Sequence, residues 1–381
     1  MSGAGVYFPG DEPGLVARLD GYLAGLGARL GAAPFARGVK ALVLAGGYGR
    51  GEGGVFRETA GRPAQLYNDL EFYLLLGDPA VAADAAAWCK REAHAGDEAL
   101  GIEVEFKLLA AAEFACAAPS MFYYDLVVAH RLVWGDAAFM AGLPARLREA
   151  ALIPVHEAVR LLFNRGSGLF YSQCALVAAA DPRVDNGFIE RNHAKVRLAL
   201  ADAVLAVNGR YHFSCRDRLR RLGETLPHLP PDWLRLVAWH AAGVEFKLHP
   251  RHAHPSRAEL EASQEELADV WRRTFLWMEA LHLGRAFVSP LEYATAPGRR
   301  FPHYPAWRCA LLHLRDRLKR GGALPGWADY PRGALQRALV LLVAPRPAVE
   351  HRALAARLVG ASDSAWLALE AAYLRWWRWY N

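Results

Sequence analysis

The sequence holds few residues of the kinds that cross-link a chain or bind zinc. Only five of its 381 residues are cysteine, and no two of them stand at the spacing of a metal-binding pair. An odd number of widely separated cysteines argues against a disulfide framework and against a structural zinc centre. These cysteines are Cys89, Cys116, Cys174, Cys215 and Cys309.

Long apolar runs are also missing. The longest, Ala338–Ala344, is far shorter than the roughly 20 residues that cross a bilayer. The N-terminus carries no charged-then-apolar leader, so we expect a cytoplasmic protein with no membrane partner. A hydrophobic content of 53% is ordinary for a globular protein and is enough for a sizeable core.

Lysine is scarce, and the excess of positive charge is small. Six lysines stand among 45 basic residues, and the net charge is +6. This mild excess does not favour nucleic acid as the partner, although it leaves that partner open. The scarcity makes each lysine more informative, notably Lys107 and Lys195.

The chain changes character near its middle, and its length favours two domains. We predict strands at 40–45, 70–76, 102–108 and 131–134, a glycine turn at 46–54 and an irregular excursion at 55–67. Long helical patterns follow, at 154–178, 187–208, 232–248, 257–282, 304–320, 332–344, 348–358 and 363–380. The predicted domains are therefore 1–148, which mixes helices with strands, and 149–381, which is all helical.

The glycine turn is the first candidate for chemistry. Six glycines occupy the nine positions from Gly46 to Gly54, directly after an apolar run. Without a Cβ, glycine lets backbone N–H groups approach a phosphate closely, and a following helix would add the positive end of its dipole. The turn is therefore predicted to cradle phosphates, although a tight turn without a ligand is the alternative.

Two carboxylates open the next predicted strand. Asp69 and Glu71 are two residues apart, so on a strand they point to the same face. Burying like charges side by side is costly unless a cation compensates them. Hard oxygen ligands in this arrangement suit Mg²⁺, which takes one or two carboxylates together with substrate phosphates. The alternative is a solvent-facing strand edge.

A third predicted strand adds further charged residues. Glu103, Glu105 and Lys107 alternate with apolar residues and therefore share one face. If this strand lies beside that of Asp69, a glutamate could complete a metal site or act as general base, and Lys107 could neutralise the cluster or contact phosphate. A solvated Glu–Lys face is the alternative.

Taken in this order, the glycine turn and the two acidic segments that follow it resemble the DNA polymerase β-like nucleotidyltransferase superfamily. Its pattern is a strand, Gly-Gly or Gly-Ser at a helix start, Asp-x-Asp/Glu on the next strand, and a carboxylate on a later one. The matching residues are Gly46-Gly47, Asp69-x-Glu71 and Glu105, with Glu103 as its competitor, and the likeness covers roughly residues 38 to 136. In this chain the gap between the turn and the acidic pair is longer than usual, and Glu71 stands where Asp is the commoner residue.

The resemblance implies an α/β (α+β) nucleotidyltransferase domain with a short mixed sheet, followed by a mostly α-helical domain. It implies an enzyme that moves a nucleoside monophosphate from an NTP, with ATP as the expected donor, to an unknown acceptor hydroxyl or amine. Mg²⁺ or Mn²⁺ would be held by Asp69, Glu71, Glu105 and Glu103, and the first three would be catalytic. The nucleotide contacts it implies are Gly46, Gly47, Tyr48, Arg50, Gly51, Glu52 and Lys107. The second half, at Leu162–Leu169 and from Lys195, also resembles bacterial nucleotidyltransferases whose helical domain closes over the nucleotide. That likeness implies Asn164, Arg165 and Lys195 as further contacts, with a helix-packing or surface role as the alternative.

Other interpretations remain beside this one. A catalytically inactive nucleotidyltransferase fold could serve as a nucleotide sensor or as a partner-binding module. The turn also resembles sugar-nucleotide pyrophosphorylases and dinucleotide-binding proteins, but the continuations expected of each are missing.

Two sequence repeats are given no function. The pentapeptide Val104–Leu108 recurs as Val244–Leu248, which we treat as chance. The arginine-rich stretches Arg216–Arg221 and Arg315–Arg320 are expected to be solvated helix faces, with phosphate or RNA contact as the alternative.

Overall fold

The structure, a computed structural model, describes residues 7–58, 62–177, 186–250, 255–344 and 346–380. The chain divides into two compact units. The first comprises Met1–Pro154, Leu205–Pro227 and Ala241–Ala253; the second comprises Val155–Val204, His228–His240 and His254–Asn381. Whereas the predicted domains meet at a single cut, the first unit also takes in two later segments of the chain.

The first unit contains a small mixed sheet. Its strands are β1 (Val39–Leu44), β4 (Leu70–Leu76), β5 (Val104–Ala110) and β6 (Arg131–Gly135), and a separate pair is formed by β2 (Val55–Phe56) and β3 (Gln65–Leu66). The strand order is β5-β4-β1-β6, with β4 parallel to β5 and antiparallel to β1, which is antiparallel to β6. The predicted short mixed sheet is confirmed, and the supposed irregular excursion contains the β2–β3 pair.

Helices make up most of the remaining described chain, and the long helical patterns are confirmed to within about three residues at each end. The helices are α1 (Pro13–Gly31), α2 (Gly46–Gly49), α3 (Ala82–Leu100), α4 (Glu113–Cys116), α5 (Met121–Val128), α6 (Ala137–Ala141), α7 (Val155–Val177), α8 (Asn186–Val207), α9 (Cys215–Arg221), α10 (Trp233–Leu248), α11 (Arg257–Leu283), α12 (Pro290–Thr295), α13 (Ala306–Arg320), α14 (Arg332–Leu342), α15 (Val349–Val359) and α16 (Trp366–Tyr380).

Both faces of the sheet are covered, which explains why β1 and β4 are apolar along nearly their whole length. Leu70, Phe72 and Leu74 belong to the apolar cluster that also contains buried residues of α1 and α3. Tyr73 and Leu75 point the other way, into a cluster that contains residues of α5 and α6. Because side chains alternate along a strand, Glu71 lies on the Tyr73 face.

The second unit is helical, and α7 packs directly against α11. Trp271 of α11 is fully buried, and its ring nitrogen donates to the Leu162 carbonyl at 2.9 Å. A Cβ on Gly166 would lie 2.2 Å from the Trp271 ring, so α7 needs a glycine where the indole crosses it. Close packing here depends on one missing side chain.

The expectation that both arginine-rich stretches are solvated needs correction. Arg218 and Asp316, which the sequence placed on solvated helix faces, are 5% and 0% exposed. Their charged neighbours Arg216 and Arg317 are exposed, so in each stretch one charged residue turns into the protein.

Among the described helices, none combines the length and apolar character that crossing a bilayer requires.

Candidate functional site

The two acidic segments of the first unit are neighbours in the sheet. In the parallel β4–β5 ladder Glu71 is paired with Glu105, and Tyr73 with Lys107. Residues paired in register project from the same face. The sheet thus brings Glu71 and Glu105 together, as the sequence predicted they would be if the two strands were adjacent.

Glu71 lies in an acidic environment that the protein compensates only in part. Burial raises its pKa above 4.5, and the Asp69 charge raises it further, while Lys107 and Arg50 act in the opposite direction. The Tyr73 hydroxyl lies 3.5 Å from a Glu71 oxygen. A carboxylate with a raised pKa beside a second carboxylate is where a bound cation would be most favourable.

Glu105 already has a positively charged neighbour. The Lys107 ammonium lies 2.9 Å from its carboxylate, and both side chains are nearly half exposed. An ion pair this exposed contributes little to stability, so it can rearrange at low cost. Glu103 is exposed just before β5, where its carbonyl accepts the Leu70 N–H at 2.9 Å.

The four predicted ligands do not form a preassembled cage. Across the described ranges, no three His, Cys, Asp or Glu side chains are gathered so that they could hold a metal ion. Mg²⁺ commonly takes only one or two carboxylates and completes its shell with waters and substrate phosphates. The hard oxygens of Asp69 and Glu71 fit that donor set, and burial together with the Asp69 charge raises the pKa of Glu71.

The glycine turn lies directly against Glu71. Gly46 has φ of +61°, and a Cβ placed on it would lie 3.0 Å from the Glu71 carboxyl carbon. Any larger residue would be both strained and crowded there. The turn continues as α2, as the resemblance implied for the Gly-Gly pair.

Only the first N–H groups of the turn can serve a phosphate. The N–H groups of residues 49 to 52 donate to carbonyls of residues 45 to 48. Gly46, Gly47 and Tyr48 form the first turn of α2, where N–H groups have no partner within the helix. The N–H groups of Gly53 and Gly54 donate to the Tyr7 carbonyl and to the Asn68 side chain. The predicted phosphate cradle, Gly46–Gly54, is therefore limited to its first three residues.

Tyr48 and the glycines after it have packing roles. The Tyr48 ring is fully buried, and its hydroxyl donates to the Gly54 carbonyl at 2.8 Å and accepts from the Tyr67 N–H at 3.1 Å. A Cβ on Gly53 would lie 2.2 Å from that ring. Part of the glycine richness is therefore explained by a buried tyrosine rather than by a ligand.

Arg50 is held by a carboxylate on α5. Its guanidinium lies 3.2 Å from Asp125, which also accepts from the Tyr211 hydroxyl at 3.2 Å. Burial raises the pKa of Asp125, and Arg50 counters that effect. The Arg50 charge also lowers the pKa of Glu71, so this arginine influences both carboxylates.

Glu52 anchors the turn to later parts of the first unit. It is 4% exposed and accepts from the Ser214 hydroxyl at 2.7 Å, the Cys215 N–H at 3.0 Å and the Lys247 ammonium at 3.1 Å. Burial alone would raise its pKa, but Lys247 and the hydrogen bonds lower it to about 2. Both carboxylate oxygens are engaged by the protein itself, which makes Glu52 a structural anchor.

Sequence reasoning missed the partners of Arg50 and Glu52. Asp125 and Ser214 carry no signal that singles them out. Lys247 has two such signals: lysine is rare in this chain, and Lys247 belongs to the repeated pentapeptide that we treated as chance. Neither signal indicates the position of its partner, which is 195 residues away.

The remaining predicted nucleotide contacts belong to the second unit. Asn164 of α7 accepts a hydrogen bond from Arg332 at 3.4 Å, Arg165 is half-buried on the same helix, and Lys195 is exposed on α8. Their contact with a nucleotide stays a prediction.

Comparison with known proteins does not assign a family. Neither the family models nor the curated protein sequences give a significant match to this chain. The interpretation therefore depends on the geometry of the first unit.

Proposed function

We propose that the first unit is an Mg²⁺-dependent nucleotidyltransferase site that transfers a nucleoside monophosphate from an NTP, with ATP as the expected donor, to an acceptor hydroxyl or amine. The observation that carries this proposal is the contact between the glycine turn and the acidic strand. A Cβ placed on Gly46 would lie 3.0 Å from the Glu71 carboxyl group, so the turn and this carboxyl group are close neighbours. A phosphate bound at the turn would therefore lie close to the carboxylates.

Asp69 and Glu71 would hold the ion, which supplies positive charge to the phosphates and the leaving group. The N–H groups of Gly46, Gly47 and Tyr48 would donate to phosphate oxygens. Their partial positive charge would stabilise the transition state in the same way as an oxyanion hole.

Glu105 is the residue proposed to take the acceptor's proton. The acceptor oxygen or nitrogen attacks the α-phosphorus, the bond from that phosphorus to the bridging oxygen breaks, and pyrophosphate leaves. The proton released by the acceptor passes to Glu105, which is half exposed and paired in register with Glu71. Lys107, 2.9 Å from Glu105, would then be released to contact phosphate.

One observation favours a second candidate function. The Lys107 ammonium already sits beside Glu105, and the described residues contain no group of three metal ligands. A fold of this kind without turnover would bind a nucleotide as a sensor or as a partner-binding module.

Labelled NTPs separate the two functions. The full chain would be incubated with Mg²⁺, each NTP labelled at its α-phosphate, and a panel of acceptors of different chemical classes. The proposal expects pyrophosphate release and a labelled acceptor, both abolished by a chelator. It expects Asp69→Asn and Glu71→Gln each to lower the rate by about 100-fold or more. Glu98→Gln, at a carboxylate 73% exposed on α3, is the matched control.

The outcomes are distinct. NTP-dependent thermal stabilisation without turnover, surviving in Asp69→Ala, would establish the binding module and refute the enzyme. The absence of both binding and turnover would refute both functions.

A further inference from the structure

Helix α13 of the second unit presents apolar residues to solvent. Trp307, Leu311, Leu314 and Leu318 are 61%, 56%, 53% and 78% exposed. Apolar residues at this 4-3-4 spacing are the usual mark of a helix face that is covered by protein. We call these four residues the α13 seam.

The seam lies on the side of α13 that faces away from the protein. The residues of α13 that are buried are Cys309, His313 and Asp316. With 100° of rotation per residue, the mean direction of these three buried residues lies roughly 160° to 180° around the helix axis from the mean direction of the seam. The helix is thus anchored by one face and displays the opposite one.

The flanks of the seam are uniformly basic. Arg308, Arg315 and Lys319 follow one side and Arg317 the other. The one acidic residue of α13, Asp316, is fully buried against the Trp379 ring nitrogen at 2.8 Å. No negative charge of α13 is therefore displayed beside the seam.

A cavity adjoins the seam on its more basic side. It is open to solvent, has a volume of about 400 Å³ and is lined by Tyr304, Arg308, Leu311, Leu312 and Arg315. A recess that combines aromatic, aliphatic and guanidinium groups suits a side chain with an apolar stem and a carboxylate end.

We propose that the α13 seam is a docking site for an acidic amphipathic helix of a partner protein. The apolar residues of such a helix would interdigitate with the seam, and its flanking carboxylates would face the basic flanks. A single three-turn contact is smaller than a typical stable interface, so the complex would be transient. This inference does not depend on the transfer reaction proposed above.

The charge of the flanks and the angular width of the seam distinguish this partner from other occupants. A second copy would bring the same basic flanks together and repel itself. Helices that lie on membranes expose a broad apolar face, whereas this seam spans only about 60° before arginine begins, which is typical of a helix–helix seam.

The test uses the full chain and two synthetic peptides. Each peptide has about three heptads with leucine at a and d, and carries either glutamate or lysine at e and g. Fluorescence anisotropy of the labelled peptides should show the glutamate peptide binding at least about tenfold more tightly, with binding weakened by salt. Leu311→Ser and Leu318→Ser should each weaken it by about tenfold or more.

Matched leucines elsewhere provide controls. Leu234 and Leu367, which are 84% and 74% exposed, lie on other helices, and their serine variants should bind like wild type. The double variant Arg317→Glu/Lys319→Glu leaves two basic and two acidic residues on the flanks, since Arg308 and Arg315 remain, and should abolish the preference for the glutamate peptide. Because all these side chains are exposed, the melting temperatures should be unchanged, which separates lost binding from lost folding.

Four outcomes would overturn the proposal. Equal binding of the two peptides, or binding indifferent to Leu311→Ser, would remove the seam as the site. A dimer in sedimentation that Leu311→Ser dissociates would identify a second copy as the occupant. Flotation with phosphatidylserine vesicles that requires Leu311 would identify a membrane instead.

Discussion

Replacing Glu52 by glutamine should destabilise the protein strongly although Glu52 is not assigned a catalytic step. The variant leaves the Lys247 ammonium, 19% exposed, without its carboxylate and weakens the acceptor for Ser214 and Cys215. A fall in pKa from 4.5 to about 2 corresponds to about 3 kcal/mol of stability at neutral pH. Breaking one partner of a buried ion pair gives a similar estimate, about 3 to 5 kcal/mol.

The pH dependence of this loss follows from the sign of the shift. Because the pKa is lower in the folded state, the unfolded chain binds the proton more strongly, and acid favours unfolding. The contribution should be complete above pH 4.5, reduced by about half near pH 3 and lost as the pH falls toward 2. Urea unfolding of wild type and Glu52→Gln between pH 7 and pH 3 measures this difference directly.

A double-mutant cycle identifies the partner responsible. With Lys247→Met, the coupling to Glu52→Gln should be about 1 to 3 kcal/mol at pH 7. Glu98→Gln, at the exposed α3 carboxylate, should change stability by less than about 0.5 kcal/mol. A Glu52→Gln effect below about 1 kcal/mol, or one that does not shrink with acid, would refute the anchor role.

Three glycine substitutions provide further predictions. Gly46→Ala should cost about 1 to 2 kcal/mol in urea unfolding because of its φ of +61°, and should weaken NTP binding by displacing Glu71; unchanged binding would contradict the proposed site. Gly166→Ala should cost about 1 to 3 kcal/mol, since its Cβ would meet the Trp271 ring at 2.2 Å, and a neutral result would contradict that packing. Gly21→Ala, exposed in the middle of α1 with open space around it, should stabilise by about 0.5 to 1 kcal/mol in the same assay.

The sequence was sufficient for features that depend on local periodicity. The β4 strand and the long helices were predicted to within a few residues because apolar spacing repeats along each element. The expectation that Asp69 and Glu71 share a face follows from strand alternation alone, and β4 begins at Leu70, one residue after Asp69. Their adjacency to Glu105 was conditional, since periodicity does not tell which strands are paired.

The two buried charges Arg218 and Asp316 show where local patterning fails. Charge-rich stretches are normally solvated, but burial of a charged residue is tolerated when tertiary partners offset its cost. Arg218 donates to the His212 and Phe213 carbonyls at 2.6 and 3.0 Å, and Asp316 accepts from Arg315 and Trp379. Nothing in the spacing of these arginine-rich stretches distinguishes the inward-facing residue from its neighbours.

The α13 helix shows the reverse limitation. Its apolar spacing is the kind that predicts a covered face, yet the seam is exposed and the helix is anchored by Cys309, His313 and Asp316 instead. Periodicity identifies an apolar face, whereas only the tertiary structure determines whether that face is covered.

The sequence by itself determined the elements of the candidate site: an apolar strand, a glycine turn and two acidic strands. Tertiary structure decided which of the predicted site residues are engaged by other parts of the protein. In the folded chain, Glu52, a predicted nucleotide contact, accepts a hydrogen bond from Lys247, which is 195 positions away along the sequence. Glu52 therefore acts as an anchor. The physical reason is that side-chain periodicity is set by neighbouring residues, whereas charge compensation, close packing and burial are set by residues that meet only after the chain has folded.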